Sequence, residues 1–131
     1  MDRPASKGIP PELRAFLYSC IDSIEQVEIL LLLQRTGRCW TARAVTVELV
    51  LPGPSARIHL ETLAARGLLQ VTIENEVAYR YAPRSAELRR YGDQLGEYYG
   101  HSPAQILRCI AATPRRALKH FADAFKLREP E

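Results

Sequence analysis

The sequence predicts a mainly helical fold carrying a small β wing, and three observations predict it. Apolar residues recur at helical spacing over most of the 131 residues. A break at Leu51-Pro52-Gly53-Pro54 separates two short helical patterns in the middle of the chain. Two β-branched and aromatic runs then follow, Leu69-Gln70-Val71-Thr72-Ile73 and Val77-Ala78-Tyr79-Arg80-Tyr81, with Glu74-Asn75-Glu76 as the turn between them.

Each element has its own signals. After a polar opening rich in turn formers, Pro11 suits the first turn of a helix ending at Cys20, with Leu13, Phe16, Leu17 and Tyr18 as its apolar side. Ser23-Ile24-Glu25-Gln26 has the form of a capping box and opens a second helix through Val27, Ile29, Leu30, Leu31, Leu32 and Leu33 to Gly37. Its apolar residues cover more than one stripe, which puts it at the centre of the fold or partly in a subunit interface. Trp40 sits where a short third strand would join the wing, as a packing residue. Thr41 caps the next helix, which runs through Ala44, Val45, Val47, Glu48 and Leu49. Ser55 offers its hydroxyl as cap to the following one, whose Ala56, Leu60, Leu63 and Ala64 recur at helical spacing until Gly67 supplies a left-handed end.

Beyond the hairpin, Ala82-Pro83-Arg84-Ser85 starts a helix with a heptad-like seam of Leu88, Tyr91, Leu95 and Tyr98. Gly92, Gly96 and Gly100 share one of its faces and would admit a neighbouring helix. Ser102-Pro103 begins another helix, with Ile106, Leu107 and Ile110, that stops near Thr113-Pro114. A last helix is expected from Arg115 to Leu127, with Leu118, Phe121, Ala122 and Phe125 on one side. The whole reads as a winged helix-turn-helix with additional N- and C-terminal helices: 1–22 a tail and short helix, 23–83 the winged core, 84–131 helices for dimerisation and packing.

Composition narrows the function classes. The length suits one domain, and 47% apolar residues can fill a core. No run approaches a membrane span and Met1-Asp2-Arg3-Pro4 lacks a signal peptide's apolar segment, so a cytoplasmic protein without membrane partners is expected. Cys20, Cys39 and Cys109 are odd in number and scattered, suggesting neither a disulfide framework nor a zinc site. His59, His101 and His120 show no metal-ligand spacing, and no phosphate-binding glycine loop occurs, so neither an enzyme, a metal nor a cofactor is expected. The net charge is +3, and all of the excess lies in 84–131, with nine basic against six acidic residues. The 51–83 stretch carries three of each.

The winged core resembles the MarR-like class of bacterial transcription regulators. The resemblance also takes in the run Ile21 to Leu33, the Trp40-Thr41 pair, Tyr79-Arg80-Tyr81-Ala82-Pro83 and the ending Phe121 to Arg128, which are similar to a group of short bacterial winged-helix proteins. It implies a homodimer built by the flanking helices and binding double-stranded DNA. The chain departs from that class in a short wing tipped by Glu74 and Glu76 in place of lysine or arginine.

If the helix after Pro54 enters a major groove, Ser55, Arg57, Ile58, His59 and Glu61 lie near its leading end. Arg57 can reach a guanine edge or a phosphate, Ser55 can cap the helix and donate to a phosphate, and Ile58 can meet a thymine methyl. Arg43 on the preceding helix can touch the backbone, and Arg66 can settle the carbonyl end of its own helix. Each has a plainer alternative: Arg57 as a solvated side chain, Ser55 as a cap only, Ile58 as contact for a protein partner. Leu88, Tyr91, Leu95 and Tyr98 are the candidate dimer contacts. The basic group Arg115, Arg116, Lys119, His120, Lys126 and Arg128 reads as a solvated face or, if the last helix is exposed, as a surface for nucleic acid or an acidic protein.

Overall fold

The computed structural model describes residues 9–111. Among them are six helices and one three-stranded antiparallel sheet. In chain order these are α1 (Pro11–Cys20), α2 (Ile24–Thr36), β1 (Trp40–Thr41), α3 (Ala42–Leu49), α4 (Ser55–Ala65), β2 (Leu69–Ile73), β3 (Val77–Tyr81), α5 (Ala86–His101) and α6 (Pro103–Ala111). The expected last helix and the break at Thr113-Pro114 lie outside the described residues. No described helix is long and apolar enough to cross a membrane.

α2 is the centre, as its broad apolar pattern predicts. Gln26, Val27, Ile29, Leu30, Leu32 and Leu33 are all buried on it, and it packs against α3, α4 and β3, while α5 packs against α1 and α6. One continuous core joins the two halves, from Leu13 and Leu17 through Leu30 and Leu33 to Leu60, Leu63, Leu95 and Ile106. The sheet order is β1-β3-β2. Trp40 lies opposite Tyr79, is buried, and donates its indole N–H to Thr36 Oγ1 at 2.9 Å.

Helix ends follow their signals in most places. Thr41 Oγ1 accepts from Ala44 N–H at 3.1 Å, and Ser85 Oγ accepts from Leu88 N–H at 3.1 Å. At the end of α4, Gly67 N–H donates to the Ala64 carbonyl and Leu68 N–H to the Leu63 carbonyl, a Schellman closure that requires the left-handed φ of 87° found at Gly67. The end of α3 differs from expectation. Val50, before the proline-glycine break, takes the left-handed conformation itself at φ 55°, an unfavourable setting for a β-branched side chain.

The glycines of α5 serve a different purpose from the one expected. Instead of admitting a helix backbone, Gly92 leaves room for the Tyr81 hydroxyl and Gly96 for the Gln34 amide, while among the described residues nothing lies within 4 Å of where a Cβ of Gly100 would stand. Gln34 Nε2 donates to the Gly92 carbonyl at 2.9 Å, and Tyr81 donates to Asp93 Oδ1 at 3.0 Å. α5 is thus keyed to α2 and β3 by two polar side chains seated where a Cβ would stand.

Two outcomes follow. Leu60→Ala, at a position with no solvent exposure, should lower stability by about 2–5 kcal/mol in denaturant melts. Burial pushes the Tyr81 phenol up to about 12, with its bond to Asp93 raising it further and that to Gln34 opposing, from an ordinary value of 10.0. Above the ordinary value the unfolded chain sheds a proton that the folded chain keeps. The stability owed to this group is therefore complete below pH 10 and lost as pH rises towards 12. Ultraviolet phenolate titration should show delayed tyrosine ionisation, and Tyr81→Phe should remove its contribution near pH 12.

Candidate nucleic-acid interface

α4 divides its residues between two faces. Ala56, Leu60 and Leu63 are buried against the core. On the outer side Arg57 and Glu61 have side chains 61% and 55% exposed and pair at 3.5 Å, and Ile58 is 51% exposed. Arg43 is exposed on α3. Of the five candidate contacts on these two helices, Arg43, Arg57 and Ile58 therefore face solvent, whereas Ser55 and His59 turn towards α2.

The inward turn has a definite cause, and it corrects the expected role of Ser55. The residue preceding α4 is Pro54, and no side chain caps the helix. Ser55 is already in the first turn and donates its hydroxyl to Glu25 Oε1 at 2.9 Å. The same carboxylate oxygen lies 2.9 Å from His59 Nε2, and Gln26 Nε2 lies 3.1 Å from His59 Nδ1. The other end of the Gln26 amide, Oε1, accepts from Asp22 N–H at 2.8 Å. With Gln26 donating to Nδ1, the ring proton belongs on Nε2, where it is given to Glu25. A single polar chain thus runs from the entry of α2 to the first turns of α4.

Glu25 and Gln26 were read from sequence only as parts of a capping box. Ser23 does accept from Gln26 N–H at 3.3 Å, but the Gln26 side chain reaches Asp22 rather than the Ser23 amide. A signal for the longer connection existed. Gln26 stands three and four residues before Ile29 and Leu30 on the buried side of α2, where a polar group needs a partner.

The far end of α4 is anchored as well. Arg66 was expected to settle the carbonyls of its own helix, yet it donates from Nη1 to the Cys20 carbonyl at 2.7 Å and from Nη2 to Asp22 Oδ2 at 3.0 Å. It closes the end of α1 rather than that of α4.

The hairpin stands beside the outer face. Its apolar ladder starts in the core with Leu69 and Tyr79 and runs outward to Val71, Ile73 and Val77, which are 44%, 73% and 43% exposed. Burial raises the Tyr79 phenol above its ordinary range, the Glu61 carboxylate adds to the rise and Arg57 opposes it, so the exposed ion pair of α4 lies within electrostatic reach of β3. The exposed charges of α3, α4 and the hairpin are Arg43, Arg57 and Arg80 against Glu48, Glu61, Glu74 and Glu76. Val47 and Val50 add apolar surface at 72% and 85% exposure. This surface is close to neutral and partly apolar.

The seam on α5 is occupied from within. Leu95 is fully buried and Leu88, Tyr91 and Tyr98 are half-buried against the same core. The reason is α1, whose Phe16 ring sits 5.8 Å from that of Tyr91. The four residues do not form an open apolar stripe.

No protein-family model matches the chain, and no curated protein does. Among solved structures it is similar to the crystal structure of RV1404 from Mycobacterium tuberculosis, with 19% sequence identity, a TM-score of 0.50, and coverage of 91% of this chain and 84% of that one. The likeness concerns the fold alone.

The clamp on α4 yields a measurable outcome. Glu25→Ala removes the shared acceptor of Ser55 and His59 and should cost about 1–3 kcal/mol in denaturant melts. Ser55→Ala should cost less, because Glu25 then keeps His59.

Proposed function

We propose that this chain is a winged helix-turn-helix protein of the MarR-like kind, a bacterial transcription regulator that binds double-stranded DNA with α4 as its recognition helix and acts as a homodimer. The observation that carries the reading is the presentation of α4. It follows α3 across a tight turn, is tethered at its first turns to Glu25 and Gln26 of α2 and beyond its far end, through Arg66, to Cys20 and Asp22, has no side-chain cap, and leaves Arg57 and Ile58 outward beside a β-hairpin. A clamped helix with exposed leading residues is what groove reading requires. Arg57 would hold a guanine edge or a phosphate once released from Glu61, Ile58 would meet a thymine methyl, and Arg43 would touch the backbone. Ser55 and His59 act in this reading as positioning residues, since Glu25 and Gln26 hold them inward.

A second reading, a winged-helix module that binds a protein, is favoured by a specific observation. Val47, Val50 and Ile58 are exposed, and Arg57 is already paired with Glu61, which lowers the attraction for phosphate.

Selection from random duplexes, followed by titration at several salt concentrations, separates the two. For a DNA-reading helix, Arg57→Ala should weaken binding to the selected sequence by ~1–3 kcal/mol, or reduce the salt slope by about one if the contact is to phosphate. Glu61→Gln frees Arg57 and should strengthen binding. No enrichment, with affinity no better than ~0.1 mM at physiological salt, returns the surface to a protein partner.

A further inference from the structure

Among the described residues β2 is an edge of the sheet, because the strand order is β1-β3-β2. Edge strands of monomers are ordinarily guarded by a charge, a proline or a bulge. β2 has none of these: its sequence is Leu-Gln-Val-Thr-Ile, and its register with β3 runs unbroken from Leu69↔Tyr81 to Ile73↔Val77.

Backbone parity sharpens the point. Ala82 N–H donates to the Leu68 carbonyl and Glu74 N–H to the Glu76 carbonyl. In an antiparallel ladder bonded pairs alternate with unbonded ones, so residues 68, 70, 72 and 74 turn their backbone groups towards β3. Leu69, Val71 and Ile73 then direct N–H and C=O outward, along the open edge. These are also the apolar residues of the strand, and all three side chains share one face.

We infer that β2 pairs antiparallel with β2 of a second copy of this chain, about a two-fold axis at Val71. This register sets Val71 against Val71 and Leu69 against Ile73 of the other copy, every one of them with outward backbone groups. The exposed side chains of Val71 and Ile73 join one apolar row, and Gln70 meets Thr72 on the opposite face. The same register carries Glu74 to Leu68, and Asn75 to Gly67, of the second copy.

Charge complementarity supports that placement. Arg84 N–H donates to the Gly67 carbonyl at 2.7 Å, and its guanidinium lies so close to Gly67 that a Cβ there would meet Nε at 2.9 Å. Glu74, at the acidic hairpin tip of each copy, is thereby set beside Gly67, against which the Arg84 guanidinium lies, at the base of the other hairpin. The acidic tip, anomalous for a wing that faces phosphate, has a function in this arrangement. The pairing goes beyond the DNA reading and does not require it.

The test is sedimentation of the full chain without nucleic acid, combined with amide hydrogen exchange over a concentration series. A reversible monomer–dimer equilibrium is expected, with protection of the Val71 and Ile73 amides rising with concentration. Val71→Lys, which places like charges opposite each other, should raise the dissociation constant by about tenfold or more. Arg84→Glu should weaken the dimer, and adding Glu74→Arg with Glu76→Arg should restore it. A monomer at every concentration overturns the proposal. So does a dimer in which exchange at Val71 and Ile73 is independent of concentration, and that measurement on the unaltered chain decides the matter even if Val71→Lys fails to fold.

Discussion

The attachment of α4 to the first turn of α2 is the constraint on which the outward surface depends. Ala56, Leu60 and Leu63 bring burial, but burial alone tolerates sliding and rotation of one helix on another. Glu25, Gln26, Ser55 and His59 remove that freedom, because each polar group has a partner in this one rotational setting of α4. Arg66 repeats the device at the other end through Cys20 and Asp22. The exposed positions of Arg57, Ile58 and Glu61 are therefore consequences of contacts on the opposite side of the helix.

This division explains what the sequence discloses and what it conceals. Local signals predict local structure well. The capping threonine at 41, the glycine at 67, the central apolar α2 and the two hairpin strands are all found where periodicity and turn chemistry put them. Ser55 illustrates the limit. A serine after a proline-glycine-proline break has the composition of a helix cap, yet a carboxylate thirty positions earlier takes its hydroxyl. Arg66 departs from its expected role because its partners, Cys20 and Asp22, lie at and just beyond the end of α1; of the two coverings the α5 seam allows, the domain itself or a second copy, α1 supplies the first at Tyr91. The glycines at 92 and 96 were recognised as a gap, but the residues filling it, Tyr81 and Gln34, belong to other elements. The last basic stretch lies outside the described residues.

Charge and apolarity are distributed unevenly over the molecule. Among the described residues seven large apolar side chains stand exposed; six lie on α3, the turn after it, α4 and the hairpin, and Leu107 lies on α6. The proposed contacts, with a duplex or with a second copy, would both cover part of this surface. α5, by contrast, packs against α1 and α6, with Leu95 of its heptad-like stripe in the core and Leu88, Tyr91 and Tyr98 half-buried beside it. Helical periodicity reports that a face is covered without saying by which chain.

Trp40 is the sole tryptophan of the chain, and it occupies the joint between the hairpin and the helical body. Its ring is buried against the sheet, its N–H is held by Thr36, and the Arg38 guanidinium lies 4.0 Å from its centre. Beside six tyrosines the molecule thus carries one indole, which can be excited selectively, at the point where the hairpin meets α2. Its emission maximum and anisotropy report on that junction without an added label, and a ligand or second copy that shifts the hairpin would register as a spectral change from one defined position.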